Sequence, residues 1–178
     1  MHRLFVAIRP PAAIREKLRA IMGGIEGARW QNDAQMHLTL RFIGEVDRHR
    51  AEDIAAALGS VSGPPIDLTL NSVGMFERRG RVDALWAGVA PHDALRALHN
   101  KVDRACLAVG VPPDQRAYLP HITLARLNRS SGPPDDFLSL NAGLSSAPFT
   151  IGQFGLFESE LGREGAVYHI VERYSLNQ

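Results

Sequence analysis

A four-residue motif that contains histidine and threonine occurs twice in this sequence. It reads His-Leu-Thr-Leu from position 37 and His-Ile-Thr-Leu from position 121, so the two histidines are 84 residues apart. Alternate side chains of a β-strand point to the same face, which places the histidine and the threonine of each copy together. If the two copies face each other, one cleft is lined by His37, Thr39, His121 and Thr123. Two imidazoles that exchange protons near pH 7 and two hydroxyl donors are suited to a phosphodiester.

These groups can open a cyclic phosphodiester without a metal ion. In-line opening needs a base that takes a proton from water on one side of phosphorus and an acid that protonates the leaving alkoxide on the other, each contributing typically about 10²- to 10⁴-fold. Two imidazoles can supply both functions, while the hydroxyls of Thr39 and Thr123 hold the phosphoryl oxygens. The other histidines lack metal-ligand spacing, so we expect neither zinc nor any cofactor.

The composition is that of an ordinary globular protein. With 178 residues, 45% of them hydrophobic and 22% charged, the chain can build one domain with a sizeable core or two small lobes that share one. Its net charge of +1 gives no strong electrostatic attraction for long duplex nucleic acid, although a local basic patch could hold a short end.

Cysteine usage and the apolar segments bear on the compartment. The single cysteine, Cys106, lies among apolar residues and is expected to be a buried small side chain, which suits a reducing cytoplasm. Residues 1–8 run directly into Pro10 and Pro11 without a signal pattern, and no apolar run approaches the roughly 20 residues of a membrane span. We therefore expect a cytoplasmic monomer with no membrane partner.

Periodicity and breaker residues predict alternating helices and strands. The predicted strands cover residues 4–8, 37–43, 66–73, 84–89, 121–127, 149–157 and 166–174. The predicted helices cover residues 12–22, 47–58 with Asp47 as N-cap, 91–109 and 135–140. Between two of the strands, residues 77–81 form a charged hairpin loop.

The two halves of the sequence repeat each other. An apolar strand, a proline and a helix precede each histidine motif, and a shorter helix and a strand with Gly-x-Phe-Glu follow it. We interpret the chain as one bilobal domain over residues 1–178 with internal repeats at about 1–83 and 84–178. The predicted fold is α+β, with two antiparallel sheets and outer helices around a V-shaped cleft, related by a pseudo-twofold axis.

Several of these features resemble one protein family. The paired histidine motifs, the Leu-Trp-Ala-Gly-Val strand over residues 85–89, the Gly-x-Phe turn and the Pro-His-Ile-Thr-Leu-Ala-Arg stretch over residues 120–126 are similar to the two-histidine (2H) phosphoesterases. Within that superfamily the likeness is to the RNA 2',3'-cyclic phosphodiesterases, also called LigT-like 2'-5' RNA ligases. The resemblance spans essentially the whole chain. It implies metal-independent hydrolysis of RNA 2',3'-cyclic phosphate ends to 2'-phosphates, with 2'-5' ligation as a reversible side activity.

The resemblance also assigns roles to individual residues. It implies that His37 is the general acid and His121 the general base, and that Thr39 and Thr123 bind phosphate. Arg126, five residues after His121, matches a phosphate-contacting arginine. Strict strand alternation puts Arg126 on the opposite face from His121, so this role requires a bulge or a side chain that wraps around the strand.

Further residues have a structural and a functional interpretation. The basic loop residues Arg78, Arg79 and Arg81 are those of a solvated turn, or they guide an RNA backbone toward the cleft. Trp30 and Phe42 are core residues, or they stack on a terminal base. Phe42 is the better stacking candidate because it follows His37 by five residues, as Arg126 follows His121.

Two other functions use the same residues. A related phosphodiesterase could act on ADP-ribose 1'',2''-cyclic phosphate, a 2'-5' linkage or a small cyclic nucleotide. A non-catalytic module that binds RNA ends would keep the threonines and the basic loop but would not need both imidazoles. Loss of activity with retained binding in His37→Ala separates the module from the enzymes.

Overall fold

A computed structural model describes residues 1–177. Its strands are β1 (His2–Ile8), β2 (Arg29–Trp30), β3 (Leu38–Val46), β4 (Ile66–Arg78), β5 (Arg81–Ala90), β6 (His121–Arg126), β7 (Phe149–Ile151), β8 (Gln153–Gly162) and β9 (Gly165–Ser175). Its α-helices are α1 (Ala12–Ala20), α2 (Arg48–Leu58), α3 (Asp93–Ala108) and α4 (Asp135–Leu140), and a 3-10 turn covers Asp33–Gln35. The predicted α+β class is confirmed.

The strands follow one hydrogen-bonded path in the order β7-β4-β5-β6-β3-β1-β8-β9, with β2 added on β6. Every pairing is antiparallel. The sequence predicts two separate sheets, and in this respect it differs from the structure, because β3 and β6 pair with each other at Leu38 and Ile122. That pair joins the two groups of strands at the centre of the path.

The strand order is matched on the two sides of the β3–β6 junction. On one side β3, β1 and β8 follow one another, and on the other side β6, β5 and β4 do so. The repeat in the sequence matches β3 with β6, β1 with β5 and β8 with β4. The two strands of each match lie the same number of strands away from the junction. The histidine motifs therefore begin the two strands that meet at the centre.

All four predicted helices are present, and local sequence explains where α2 begins. The side chain of Asp47 accepts a hydrogen bond from the backbone N–H of Arg50, so the predicted N-cap of α2 is confirmed. Helix α4 covers the six residues predicted for it. Helix α3 buries Leu95, Leu98, Val102 and Cys106 on one face, so the cysteine is buried as predicted.

Most strands differ from their predicted extents by one to three residues, and two differ more. The strand predicted to end at residue 73 continues to Arg78, because β4 and β5 form a long hairpin whose pairing reaches Arg78 and Arg81. Arg79 and Gly80 connect them with φ angles of 54° and 76°, the left-handed conformation of a two-residue hairpin turn. The strand predicted over 149–157 is two strands, β7 and β8, because Gly152 interrupts it.

The hydrophobic core lies on one face of β1 and the candidate site lies on the other. Leu4, Val6 and Ile8 belong to the main core cluster. Phe5 and Ala7 alternate with them and are also buried, at 2% and 0% exposure, but they stand outside that cluster. Within the described residues, no helix is long and apolar enough to span a membrane.

Candidate active site

The junction between β3 and β6 brings the two histidine motifs together. Leu38 and Ile122 pair directly, and their side chains are buried in the core at 2% and 1% exposure. Since side chains alternate along a strand, the residues on either side of this pair point to the opposite face of the sheet. Antiparallel register sets His37 across from Thr123 and His121 across from Thr39. The four predicted residues thus share one face and a centre of approximate twofold symmetry.

A β-bulge in each of these two strands brings one further residue to the same face, Arg126 in β6 and Phe42 in β3. The register of β5 with β6 passes from Thr123 to Ala125 and leaves out Leu124. Leu124 and Ala125 are consequently both buried, while Arg126 is exposed. This is the irregularity that the sequence analysis requires for Arg126 to reach the histidines.

The bulge in β3 is the counterpart of the one in β6. The register of β1 with β3 passes from Thr39 to Arg41 and leaves out Leu40. The bulge places Phe42 on the same face of the sheet as His37. The ring of Phe42 stacks on that of Phe5 with centroids 6.1 Å apart. Phe42 is 38% exposed, and the guanidinium of Arg3 lies over its ring at 5.8 Å from the centroid.

Both histidines are held by the same type of hydrogen bond. His37 Nδ1 donates to the carbonyl of Gln35 at 2.7 Å, and His121 Nδ1 donates to the carbonyl of Leu119 at 2.7 Å. In each case the acceptor lies two residues before the histidine. A carbonyl accepts a hydrogen bond only, so it fixes the proton on Nδ1 and leaves Nε2 as the proton-exchanging atom of each ring.

Burial and positive charge lower the pKa of both imidazoles. Desolvation lowers the pKa of His37 to about 4, opposed by its hydrogen bond to Gln35 and assisted by the charges of His121 and Arg126. Desolvation also lowers the pKa of His121, again with the charge of Arg126 contributing. Arg126 therefore acts on both rings, and an anion bound among the three would reverse the effect of its charge.

Aromatic rings form the walls around each histidine. The ring of His37 lies 4.9 Å from that of Phe5 and 5.1 Å from that of Tyr168. The ring of His121 lies 4.9 Å from that of Phe76 and 6.1 Å from that of Trp86. These apolar surroundings account for the loss of hydration at the imidazoles.

Side chains from α3 and the loop after it support the bulged part of β3. Tyr118 donates a hydrogen bond from its hydroxyl to the carbonyl of Thr39 at 3.1 Å, and His99 Nδ1 donates to the carbonyl of Leu40 at 2.6 Å. The two aromatic rings stack with centroids 4.1 Å apart. Arg41, only 4% exposed, pairs with Asp103 at 2.8 Å. These contacts hold the backbone of β3 at Thr39 and Leu40, just beyond the residue at which β3 pairs with β6.

A cavity of about 480 Å³ opens beside His37. Its walls include Phe5, Phe157 and Tyr168, and arginines at positions 9, 15 and 173 also line it. None of these residues is among those that the sequence predicts for the site. Phe5 gives no signal in the sequence because β1 is apolar on both faces. Tyr168 could have been found from the repeat, in which it corresponds to Trp86.

Other residues considered in the sequence lie away from this centre or have structural partners. Trp30 packs on Phe137 with ring centroids 5.2 Å apart and belongs to the core periphery, in agreement with its structural interpretation. Arg78, Arg79 and Arg81 form the tip of the β4–β5 hairpin and are exposed. Within residues 1–177, no three histidine, cysteine, aspartate or glutamate side chains are grouped as metal ligands.

Comparison with known proteins identifies the family. Residues 5–163 match the family model of the 2'-5' RNA ligase superfamily. The Escherichia coli protein named RNA 2',3'-cyclic phosphodiesterase is 31% identical over 99% of this chain and 97% of its own. The Archaeoglobus fulgidus protein of the same name is 28% identical over 93% of this chain and 96% of its own.

Solved structures agree with the sequence comparison. A Thermus thermophilus protein, TT0787, superposes with a TM-score of 0.80 at 25% identity, over 98% of this chain and 97% of that one. Escherichia coli LigT in complex with 3'-AMP superposes with a TM-score of 0.78 at 27% identity, over 99% of both chains. With the paired histidine motifs on one face of a shared antiparallel fold, the chain belongs to the 2'-5' RNA ligase superfamily and is an enzyme, a hydrolase.

Proposed function

We propose that this enzyme hydrolyses the 2',3'-cyclic phosphate at the 3' end of RNA and leaves a 2'-phosphate. In this mechanism His121 takes a proton from water, the water oxygen attacks phosphorus, and the bond from phosphorus to the ribose 3'-oxygen breaks. His37 protonates that leaving oxygen through Nε2. The observation that carries the proposal is the matched pair of Nδ1–carbonyl hydrogen bonds, which leaves Nε2 of both rings for the substrate.

The remaining residues of the face stabilise the phosphate. Thr39 and Thr123 donate hydroxyl hydrogen bonds to the non-bridging oxygens, and Arg126 supplies positive charge where negative charge builds up in the transition state. The effect of Arg126 on the pKa of both imidazoles supports its position beside the same anion. The exposed part of the Phe42 ring is the candidate surface for a terminal base.

The bound anion also prepares the acid. In the free enzyme the low pKa of His37 keeps its imidazole neutral near pH 7. The negative phosphate adds an opposite charge at short range and raises that pKa, so the ring acquires its second proton when substrate is bound. His121 must be neutral to accept a proton from water, and its lowered pKa favours this state.

The names of the relatives support this substrate. The proteins from Escherichia coli, Archaeoglobus fulgidus and Thermotoga maritima are each called RNA 2',3'-cyclic phosphodiesterase. We infer from the family that 2'-5' ligation is a reversible side reaction of the same cyclic phosphate. A 5'-hydroxyl of another RNA attacks phosphorus in place of water, the bond to the ribose 3'-oxygen breaks, and a 2'-5' phosphodiester forms. His121 would then activate that hydroxyl.

A substrate panel with chelation tests the proposal. RNA oligomers that end in a 2',3'-cyclic phosphate are incubated with the enzyme, and the position of the product phosphate is assigned. We expect 2'-phosphate products at a rate that exhaustive chelation leaves unchanged. Loss of activity with chelator and its recovery with a divalent ion would contradict the two-histidine mechanism. Products with a 3'-phosphate would mean that the bond from phosphorus to the 2'-oxygen breaks instead of the bond to the 3'-oxygen.

A small nucleotide is the second candidate substrate. The observation that favours it is the set of Escherichia coli LigT structures in complex with 3'-AMP, NADP+ and ATP, which superpose over 99% of this chain. Small cyclic nucleotides and ADP-ribose 1'',2''-cyclic phosphate therefore join the panel. A kcat/KM for one of them that exceeds the values for all RNA oligomers would favour this candidate.

We propose a duplicated architecture for the chain. The matched strand order about the junction supports internal repeats at about 1–83 and 84–178, forming two lobes around a V-shaped cleft. We also propose that one chain is sufficient for activity as a monomer, since every residue of the mechanism comes from the same chain, and that the enzyme is cytoplasmic, which its single buried cysteine suits. Light scattering coupled to gel filtration measures the mass in solution, and a dimer that loses activity on dissociation would contradict this.

A further inference from the structure

The proposed reaction determines on which side of the phosphate the nucleoside lies. The leaving 3'-oxygen belongs to the ribose, so its acid, His37, must be close to the sugar. The attacking water lies opposite, next to His121. The rest of the terminal nucleotide therefore extends from the phosphate toward the His37 side of the face.

A cavity of about 480 Å³ opens on that side. Its lining includes His37 but not His121, Thr123 or Arg126. The volume falls within the range of about 300–1,000 Å³ that is typical of small-ligand sites. It can accommodate a nucleotide beyond the reacting phosphate.

The cavity combines an aromatic wall with an arginine rim. Phe5, Phe157 and Tyr168 line the part next to His37. Arg9, Arg15 and Arg173 also line the cavity. Aromatic rings next to positive side chains are the combination that grips single-stranded nucleic acid by its bases and its phosphates.

One carboxylate holds two of these arginines in place. Asp33 accepts from Arg9 Nη2 at 3.2 Å and from Arg15 Nε at 3.0 Å. Asp33 is not part of the cavity lining, so the carboxylate orients the two guanidiniums from outside the cavity. With Arg173 added, three positive charges face one negative charge, and the rim keeps a net charge of about +2.

The arginines differ in how many donors remain for a ligand. Arg9 uses both terminal nitrogens on the backbone and side chain of the segment from Asp33 to Met36. Arg15 uses Nε on Asp33 and Nη1 on the Pro10 carbonyl, which leaves Nη2. Within residues 1–177 the Arg173 guanidinium has no hydrogen bond or ion pair. Arg15 and Arg173 are thus the residues with free donors.

We propose that Arg15 and Arg173 form a second phosphate subsite, which binds the phosphate on the 5' side of the terminal nucleoside. This inference rests on the proposed function and extends it to the substrate class: the enzyme acts best on an end whose terminal nucleoside carries a 5'-phosphate. Free nucleoside 2',3'-cyclic phosphates lack this group and are poorer substrates. Arg9 positions the subsite through its hydrogen bonds to Asp33 and Ala34 of the 3-10 turn.

Three substrates that differ only at the 5' position test the subsite. The first is adenosine 2',3'-cyclic phosphate, the second is the same compound with a 5'-phosphate, and the third is a dinucleotide that ends in adenosine 2',3'-cyclic phosphate. We expect kcat/KM to rise at least about tenfold from the first to the second and third, as a hydrogen bond to a charged group predicts. A rise with the second alone would assign the subsite to a terminal 5'-phosphomonoester, and a rise with the third to the internucleotide phosphate.

Variants connect the rise to the two arginines. In Arg173→Gln and in Arg15→Gln, the ratio of kcat/KM with the 5'-phosphate to kcat/KM without it should fall toward one. The ratio cancels any general loss of active protein. Arg104→Gln, an exposed arginine of α3, is the matched control and should keep the wild-type ratio.

The outcomes separate this inference from the proposed function. Hydrolysis of all three substrates at equal kcat/KM overturns the second subsite and leaves the cyclic phosphodiesterase standing. A ratio that both arginine variants keep at the wild-type value also overturns it. If none of the three is hydrolysed, the proposed function itself fails.

Discussion

Leu38 and Ile122 form the register pair that joins β3 to β6, and both side chains point into the core. One buried apolar contact thereby fixes the relative position of the two histidine motifs, because their polar residues occupy the opposite face on either side of it. Each imidazole lies across from the hydroxyl of the other motif. A substrate phosphate that contacts His37 and Thr123 therefore also lies next to His121 and Thr39.

The charge of Arg126 should control both the rate and its dependence on pH. We expect Arg126→Met to lower kcat/KM by about 10²-fold, the cost of losing one preorganised donor to a developing anion. Its charge lowers the pKa of both imidazoles, so removing it raises both pKa values toward 6.5. The pH profile of kcat/KM should move to higher pH on both limbs.

Arg129→Met is the matched control, because Arg129 is exposed in the turn after β6. It should leave the rate and the profile as in the wild type. An Arg126→Met enzyme with reduced rate but an unmoved profile would place the guanidinium away from the imidazoles.

Two glycines at corresponding positions of β4 and β8 accept aromatic rings above them. A Cβ at Gly74 would come within 2.3 Å of the Trp86 ring, and a Cβ at Gly155 within 2.6 Å of Ile170 Cδ1 and 2.9 Å of the Phe157 ring. Gly74→Ala and Gly155→Ala should each lower the free energy of unfolding by about 1–3 kcal/mol, the usual cost of overpacking. Urea denaturation measures this.

The same substitutions should also reduce activity, since Trp86 lies beside His121 and Phe157 lines the cavity beside His37. Gly152→Ala provides the comparison, because a Cβ there meets no atom within 4 Å. Equal stabilities of all three variants would show that the rings move aside without cost.

Protonation of His37 should destabilise the folded protein in acid. The pKa of this imidazole is about 4 in the folded state, against about 6.5 in an unfolded chain. Between these values the unfolded chain binds more protons, so the free energy of unfolding falls as the pH falls from 6.5 to 4. The full loss is about 3 to 4 kcal/mol, at about 1.36 kcal/mol for each pH unit between the two values.

Urea denaturation of the wild type and of His37→Gln across this range measures the effect. In the variant, the free energy of unfolding should depend much less on pH. The remaining dependence is that of His121, whose pKa is also lowered. Identical slopes in the two proteins would mean that His37 titrates normally in the folded state.

The sequence predicts the polar residues of the site because their spacing matches a strand. Alternation is a local property of a strand, and the second copy of the motif strengthens the prediction. The bulges at Leu40 and Leu124 could not be predicted in this way, because they depend on the register with β1 and β5. They determine that Phe42 and Arg126 reach the site.

The aromatic wall was missed for a different physical reason. Strand β1 is buried on both faces, so apolar residues follow one another and give no sign that Phe5 belongs to the site face. The pairing of Leu38 with Ile122 is likewise a tertiary contact between segments far apart in the sequence. Two sheets were predicted because no local signal shows that the two strands meet.

The leaving group distinguishes the acid from the base, which the symmetry of the site does not. If His37 protonates the ribose 3'-oxygen, a leaving group that departs without a proton removes the need for this residue. An RNA analogue with sulfur in place of the 3'-bridging oxygen has such a leaving group. We expect His37→Ala to be slow on the natural cyclic end by about 10²- to 10⁴-fold and to recover a large part of this on the analogue.

His121→Ala should stay slow on both substrates, because its missing step is the activation of water and a better leaving group does not supply it. The rate of each variant is divided by that of the wild type on the same substrate, so the intrinsic reactivity of the analogue cancels. Recovery by His121→Ala alone would reverse the two roles. Equal recovery by both variants would mean that neither imidazole is committed to the leaving oxygen, and the assignment of acid and base would fail.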